Sequence, residues 1–180
     1  LTEMQQAIRE LAGQILADAD DPWVALGEAE LLGVDSMLDM ATLLVEVGRT
    51  GARVPVFSTL VLGAPLAKYG TPAPVGTVLT GALLEEGGRG PRHAASRWEN
   101  GRFHGRKICV SSATEAEWMV APADGSLCAV RLGDCRVEPQ EGTDGDSLGV
   151  VVADGVEAVR LGGSELLDWW LPRVDVGVCA

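Results

Sequence analysis

The side chains able to carry chemistry are few, and their spacing argues against a self-contained catalytic centre. His93 and His104 are the only histidines. Neither sits at a recognisable interval from a nucleophile and an acid, so both read as solvated residues of a predicted hairpin region. The chain has no G-x-S-x-G elbow, no P-loop and no H-E-x-x-H pattern. Cys109, Cys128, Cys135 and Cys179 form no C-x-x-C pair and stand in apolar surroundings. They are expected to be buried reduced thiols rather than disulfides or zinc ligands, which fits a cytoplasmic setting. No metal site is expected. Glu85-Glu86 could serve as general acid or base, although adjacent exposed carboxylates are ordinarily just solvated. Gly87-Gly88-Arg89-Gly90 has the composition of a phosphate cradle but lacks the strand–loop–helix setting, and a flexible turn is expected. Trp169-Trp170 reads two ways, as a stacking surface or as a core tryptophan beside an exposed one.

The background is acidic. Lys and Arg number 14 against 26 Asp and Glu in 180 residues, a formal charge of −12. Such a surface repels phosphate backbones, so no nucleic-acid partner is expected. Apolar residues make up 47% and charged residues 22%, enough to bury a core. No apolar run reaches the ~18 residues of a membrane span. A basic start followed by an apolar run is also lacking, so a soluble chain without a signal peptide is expected.

The elements that must position any site follow from periodicity. Met4, Ile8, Leu11 and Ile15 recur at helical spacing, with Thr2 as N-cap. Pro22 suits the first turn of a second helix ending at Gly33. A third over 37–47 is expected to turn Leu38, Ala41, Leu44 and Val45 inward, with Gly48 near its end. A fourth spans 56–66, and Lys68-Tyr69-Gly70-Thr71-Pro72 closes the region with a turn. After Gly76 the texture becomes β-rich. Residues 77–84, a hairpin over 95–110 turning at Glu99-Asn100-Gly101, and runs at 118–122, 127–132, 148–152 and 156–161 predict short strands, with a turn at Asp154-Gly155. From Ser164, an expected N-cap, Leu167, Trp170, Leu171 and Val174 share one helix face. This last helix would have nothing to pack against, so further polypeptide is expected. The fold class is therefore α+β: an N-terminal helical domain (1–76), an antiparallel β-barrel or sandwich middle domain (77–163) and the start of a C-terminal helical domain (164–180).

The order of several local patterns resembles the acyl-CoA dehydrogenase family over nearly the whole chain. Leu31-Leu32-Gly33, then Glu46-Val47-Gly48-Arg49 and a following Pro55, are similar to its N-terminal domain. Leu79-Thr80-Gly81-Ala82-Leu83-Leu84-Glu85-Glu86 resembles the strand entering its Thr-Glu-Pro flavin loop. Gly105-Arg106-Lys107-Ile108-Cys109-Val110-Ser111-Ser112-Ala113 resembles the run G-x-K-x-W-I-T-N-A. The resemblance implies FAD held between the middle domain and C-terminal helices, with an acyl-CoA substrate desaturated at its α–β bond. It places Cys109, Val110 and Ser111 on one flavin-facing segment, with Ser111 in the threonine place, and Leu83, Leu84 and Glu85 on the other. The catalytic base, a C-terminal-domain glutamate, falls outside this sequence. The sequence also departs from the pattern. Leu84 and Glu86 replace the threonine and proline of the loop, Cys109 replaces the aromatic residue, and no Gly-Ser-Asp clearly follows. The steps from Ala17 to Pro22 and from Gly33 to Met37 are short. These losses resemble the degenerate subunits of heteromeric actinobacterial acyl-CoA dehydrogenases, some acting on steroid side-chain thioesters. Implied partners are further dehydrogenase subunits in a homo- or hetero-oligomer (dimer or tetramer) and an electron-transfer acceptor. Three roles follow: an FAD-dependent dehydrogenase or subunit of one, a structural subunit supporting a catalytic partner, or a relative with monooxygenase or nitroalkane-oxidase chemistry.

Overall fold

A computed structural model of the chain describes residues 1–70, 74, 76–142 and 147–180. The expected turn residues Thr71 and Pro72 lie outside them. Helix α1 (Glu3–Asp18) starts in a capping box: Thr2 accepts from the Gln5 N–H at 3.2 Å, while the Gln5 side chain accepts from the Thr2 N–H at 3.0 Å. Its buried face is Gln5, Ile8, Ala12 and Leu16. The expected stripe is thus rotated, for Met4 is 63% and Leu11 42% exposed. The small residues decide this. A Cβ on Gly13 would lie 3.1 Å from the Arg49 guanidinium, so Ala12 and Gly13 mark the close approach to helix α3 (Met37–Thr50).

Helix α2 (Pro22–Glu28) is capped by Asp21, which accepts from the Val24 N–H. It stops well before Gly33, and a separate 3-10 turn holds Leu31–Gly33 after the left-handed Glu30. Helix α3 buries Met40, Leu43, Leu44 and Glu46. Leu38 and Val45, expected inward, are 67% and 47% exposed. Glu46 supplies the reason: its carboxylate faces α1, held by Arg9 at 3.2 Å and Arg49 at 2.6 Å. Gly51, not Gly48, makes the left-handed cap (φ 67°). The fourth helical stretch divides into a π-helix (Phe57–Leu62) and helix α4 (Ala64–Tyr69). A Cβ on the intervening Gly63 would stand 2.4 Å from Leu79 Cβ, so glycine lets the first strand approach.

Seven strands form one sheet: β1 (Leu79–Gly81), β2 (Arg97–Glu99), β3 (Arg102–Ser111), β4 (Trp118–Ala123), β5 (Ser126–Arg131), β6 (Arg136–Glu141) and β7 (Ser147–Gly162). Their order is β1-β4-β5-β7-β3-β2, with β6 also on β7. The sheet is mixed rather than wholly antiparallel, because β1 runs parallel to β4. Asn100 and Gly101, both at positive φ, turn β2 into β3 where Glu99-Asn100-Gly101 was expected to do so. The Asp154-Gly155 turn does not form. Gly155 (φ 71°) instead accommodates a bulge, where pairing shifts from Phe103 with Val156 to His104 with Asp154. Strand β7 therefore runs on without a break, carrying β3 and β6 on its first part and β5 on its last. Strand β6 escaped the periodicity because it is a charged edge strand containing Pro139.

Helix α5 (Ser164–Cys179) has Gly163 as N-cap and Ser164 as its first residue; the Glu165 carboxylate accepts from the Gly163 N–H at 2.9 Å. The helix does find a core. Leu166, Leu167, Trp170 and Val174 are buried in one cluster with residues of α1, α3, the π-helix and β5. A second cluster, including Phe103, Val110, Met119 and Val151, fills the sheet's other side. No helix among the described residues is long and apolar enough to cross a membrane.

Candidate functional site

The C-terminal end of β3 lies where the helices meet the sheet. Its pairing with β7 slips between Lys107, opposite Val151, and Val110, opposite Gly149. The extra residue is absorbed around Cys109, which takes left-handed backbone (φ 51°) although it is not glycine. Ser112 does the same (φ 52°). Two strained residues thus bracket Val110 and Ser111, a pattern that concentrates at functional sites. The Val110 side chain is fully buried, so only its backbone is available to a ligand. Ser111 is half-buried, and its hydroxyl makes no side-chain hydrogen bond among the described residues.

Three ties hold this end. Buried Thr80 donates its hydroxyl to the Ser111 carbonyl at 2.6 Å. The Ser112 N–H donates to the Ser147 carbonyl at 2.8 Å. The Ser112 and Ser58 hydroxyls share a hydrogen bond at 3.0 Å, joining β3 to the π-helix. The next residue, Thr59, bonds both backbone groups of Leu79. Thr59 also lines a cleft of ≈ 710 Å³ with Leu32, Val34, Leu60, Lys68 and Leu79.

The other predicted segment comes to the same place. Leu84 bridges Ile108, whose N–H donates to the Leu84 carbonyl at 3.0 Å. Leu83 is half-buried, while the Leu84 side chain is 51% exposed. Glu85 is not the solvated acid expected of a Glu-Glu pair. Its carboxylate accepts from Lys107 Nζ (2.5 Å), the Ser96 hydroxyl (2.5 Å) and the Ala95 and Ser96 N–H groups. Burial works to raise its pKa, but the hydrogen bonds from Lys107, Ser96 and Ala95 prevail and hold it below the usual carboxylate value. Lys107 is fully buried, donates also to the Pro122 carbonyl at 2.8 Å and lies 5.7 Å from the Phe103 ring centre. Burial lowers its pKa, and Glu85 offsets that in part. Lys107, Thr80, Ser58 and Ser96 were not singled out from the sequence, whereas Ser112 was expected only to flank Ser111. Their partners are too distant in the chain for spacing to reveal, although Lys107 and Thr80 lie within the quoted runs.

The remaining candidates stand elsewhere. His93 ends a 3-10 turn, and His104 lies 3.4 Å from the exposed Asp154. Residues 87–90 form an irregular turn with Gly87 and Gly90 at positive φ. Trp170 is the core tryptophan, its indole N–H donating to the Val61 carbonyl at 3.0 Å. Trp169 is half-exposed, with the Arg173 guanidinium 3.8 Å and the Lys68 ammonium 4.8 Å from its ring centre. All four thiols are free. Cys128 is buried, which pushes its pKa up to about 12, and burial raises half-buried Cys135 to about 11. Cys109 and Cys179 are exposed, contrary to expectation, the first on its bulge and the second at a helix end.

Helices, a seven-stranded mixed sheet and a returning helix, with a strained strand end at their junction, define an α+β protein whose candidate site lies between layers. Comparison with known proteins gives that architecture a family. No family model matches the chain. It is 32% identical over 177 residues to acyl-CoA dehydrogenase FadE28 of Mycobacterium tuberculosis (strain ATCC 25618 / H37Rv), covering 86% of this chain and 52% of that protein. Among solved structures, the Tcur3481-Tcur3483 steroid ACAD G363A variant superposes with a TM-score of 0.80 at 27% identity, over 97% of this chain and 60% of that one. The ChsE4-ChsE5 complex of Mycobacterium tuberculosis matches with a TM-score of 0.77 at 23% identity, over 94% and 60% respectively. The chain belongs to the acyl-CoA dehydrogenase family. It spans about half the length of the curated relative it matches.

Proposed function

We propose that this chain supplies the helical front (1–76), the β portion (77–163) and the first C-terminal helix (164–180) of an FAD-dependent acyl-CoA dehydrogenase. The observation that carries the reading is the half-buried Ser111, whose hydroxyl has no side-chain partner among the described residues, on a strained strand end that the Ser112–Ser58 hydrogen bond ties to the helical layer. The residues present fit a flavin there. Ser111 offers a hydroxyl donor, Val110 its backbone, and residues 83–85 a second edge held against β3 by the Leu84–Ile108 bridge. Cys109 stands at the exposed crest of the bulge. When bound, FAD supplies the hydride acceptor for desaturating a fatty or steroid side-chain acyl-CoA thioester. The chain's own residues bind and orient: Ser111 donates to the ring system, Leu83 and Leu84 keep water from its edge, and the cleft beside Thr59 offers apolar lining to the hydrocarbon part. The base that removes the α-proton lies outside residues 1–180. Partners of this reading are further dehydrogenase subunits and an electron-transfer acceptor.

Visible absorption of the purified native protein tests it. Near-stoichiometric FAD is expected, and Ser111→Ala weakens FAD affinity about fivefold, the effect of losing a hydrogen bond worth ~1 kcal/mol. Unchanged affinity in that variant removes Ser111 from the site.

One observation favours a second role, a structural subunit that supports a catalytic partner. Leu84 exposes an apolar side chain and Cys109 a thiol, where the family pattern has a hydroxyl donor and an aromatic ring. A protein colourless both alone and in complex with its partner, yet required for the partner's activity, establishes that role instead.

A further inference from the structure

We infer that the buried Glu85–Lys107 pair is a positioning device, clamping the 83–86 loop to β3 so that the two flavin-facing segments keep one separation. The inference rests on the flavin reading of this site. Four segments converge on the pair. Glu85 lies in the loop, Ala95 and Ser96 on the lead into β2, Lys107 on β3, and the Pro122 carbonyl on β4. The packing leaves little slack: a Cβ on Gly105 of β3 would fall 2.0 Å from the Ser96 hydroxyl oxygen. Glu85 belongs to one predicted contact segment and Lys107 stands just before the other. Glu85 follows Leu84, and Lys107 precedes Ile108, the residue that bridges Leu84.

Energetics supports positioning over bulk stability. Taking both charges out of water offsets most of their attraction, and apolar residues of like volume commonly hold a core as well. An ion pair with further hydrogen bonds instead admits one arrangement, where apolar contacts tolerate sliding. A displacement of ~1 Å at a ligand-orienting segment is enough to change binding many-fold.

The test is the double substitution Glu85→Gln and Lys107→Met in the full native protein. Lys107→Met severs the tie to β3, and Glu85→Gln avoids leaving a buried charge without its partner; the amide oxygen keeps an acceptor for one of the two N–H groups of Ala95 and Ser96, which donate to different oxygens of the carboxylate. Two readouts are taken with FAD as the probe: its Kd for the apoprotein, and the visible circular dichroism of the flavin at saturating FAD. The second reports the ring's surroundings in molecules that are all folded and loaded, so lowered stability alone does not move it. Expected are a Kd raised about tenfold or more and an altered visible band pattern. An unchanged band pattern at saturation overturns the inference, whatever the Kd. Should the double variant fail to fold, Glu85→Gln alone carries the same two readouts, with the same outcomes deciding. No FAD uptake by the unaltered protein overturns the flavin reading itself and the inference with it.

Discussion

Thr80→Val isolates the hydrogen bond that fixes the end of β3. Valine matches threonine in shape and β-propensity, so the change removes one hydroxyl and little else. Thr80 has no exposed surface, and its hydroxyl donates to the Ser111 carbonyl at 2.6 Å across the sheet. Replacing it leaves that acceptor without its partner, and the loss is roughly 1–3 kcal/mol. For a chain of this size each kcal/mol lowers Tm by about 2–4 °C, so a drop of roughly 2–12 °C is expected. Thr80→Ser keeps the donor and is the control; it should recover most of the loss. Calorimetry of the apo forms reads the stability, and an FAD titration beside it reads the site. Affinity should fall in Thr80→Val more than in Thr80→Ser, because the freed carbonyl belongs to the residue whose hydroxyl is proposed to face the flavin. A valine variant as stable as the wild type would falsify the view that this bond holds the strand end.

Arg9→Met with Arg49→Met leaves the Glu46 carboxylate, 2% exposed, without its partners. A loss of about 3–5 kcal/mol in urea denaturation is expected, and Glu46→Gln, which removes the charge instead, costs less. The pKa of Glu85 is lower folded than unfolded. Its stabilisation is therefore complete above the ordinary carboxylate value of 4.5 and drains away as pH falls through the folded pKa. Glu85→Gln should flatten the acid limb of the stability–pH curve below the ordinary carboxylate value of 4.5; an unaltered limb excludes Glu85 as a source. Thiol titration of the native protein should label Cys109 and Cys179 quickly and Cys128 only on unfolding, read by mass spectrometry of the digested protein. Rapid labelling of Cys128 contradicts its burial.

The sequence disclosed elements better than faces. Helix α1 was legible from the recurrence of Ile8 and its neighbours, yet the face buried runs through Gln5 and Ala12. Hydrophobic spacing ranks residues by transfer energy, whereas close helix packing selects small side chains, and Ala12 with Gly13 won. On α3 the same spacing favoured Val45 over Glu46, because nothing local shows that Arg9 lies opposite to neutralise a buried carboxylate. The sheet failed in a similar way. Asp154-Gly155 has turn chemistry, and only cross-strand pairing with β3 shows that the left-handed glycine serves a bulge. The proposed site residues come from the order of motifs. Lys107, Thr80 and Ser58, which hold them, answer to partners that only the folded chain brings near.

The π-helix explains why the candidate site sits where it does. Its widened turn, closed by the Gly63 N–H on the Ser58 carbonyl at 2.8 Å, carries one more residue than an α-turn. Ser58 reaches the end of β3, Thr59 holds β1, and the Val61 carbonyl accepts from Trp170 on α5. In an α-helix successive residues step by about 100° around the axis, so losing the extra residue would turn those after it by that angle relative to those before. Ser58 could then keep β3, or Val61 keep α5, but one segment could not serve both. Gly63 completes the arrangement by letting Leu79 come within contact of the helix backbone. Six residues thus set the spacing among a strand end, a parallel edge strand and a returning helix. A flat cofactor lying between sheet and helices would require that same spacing to be fixed.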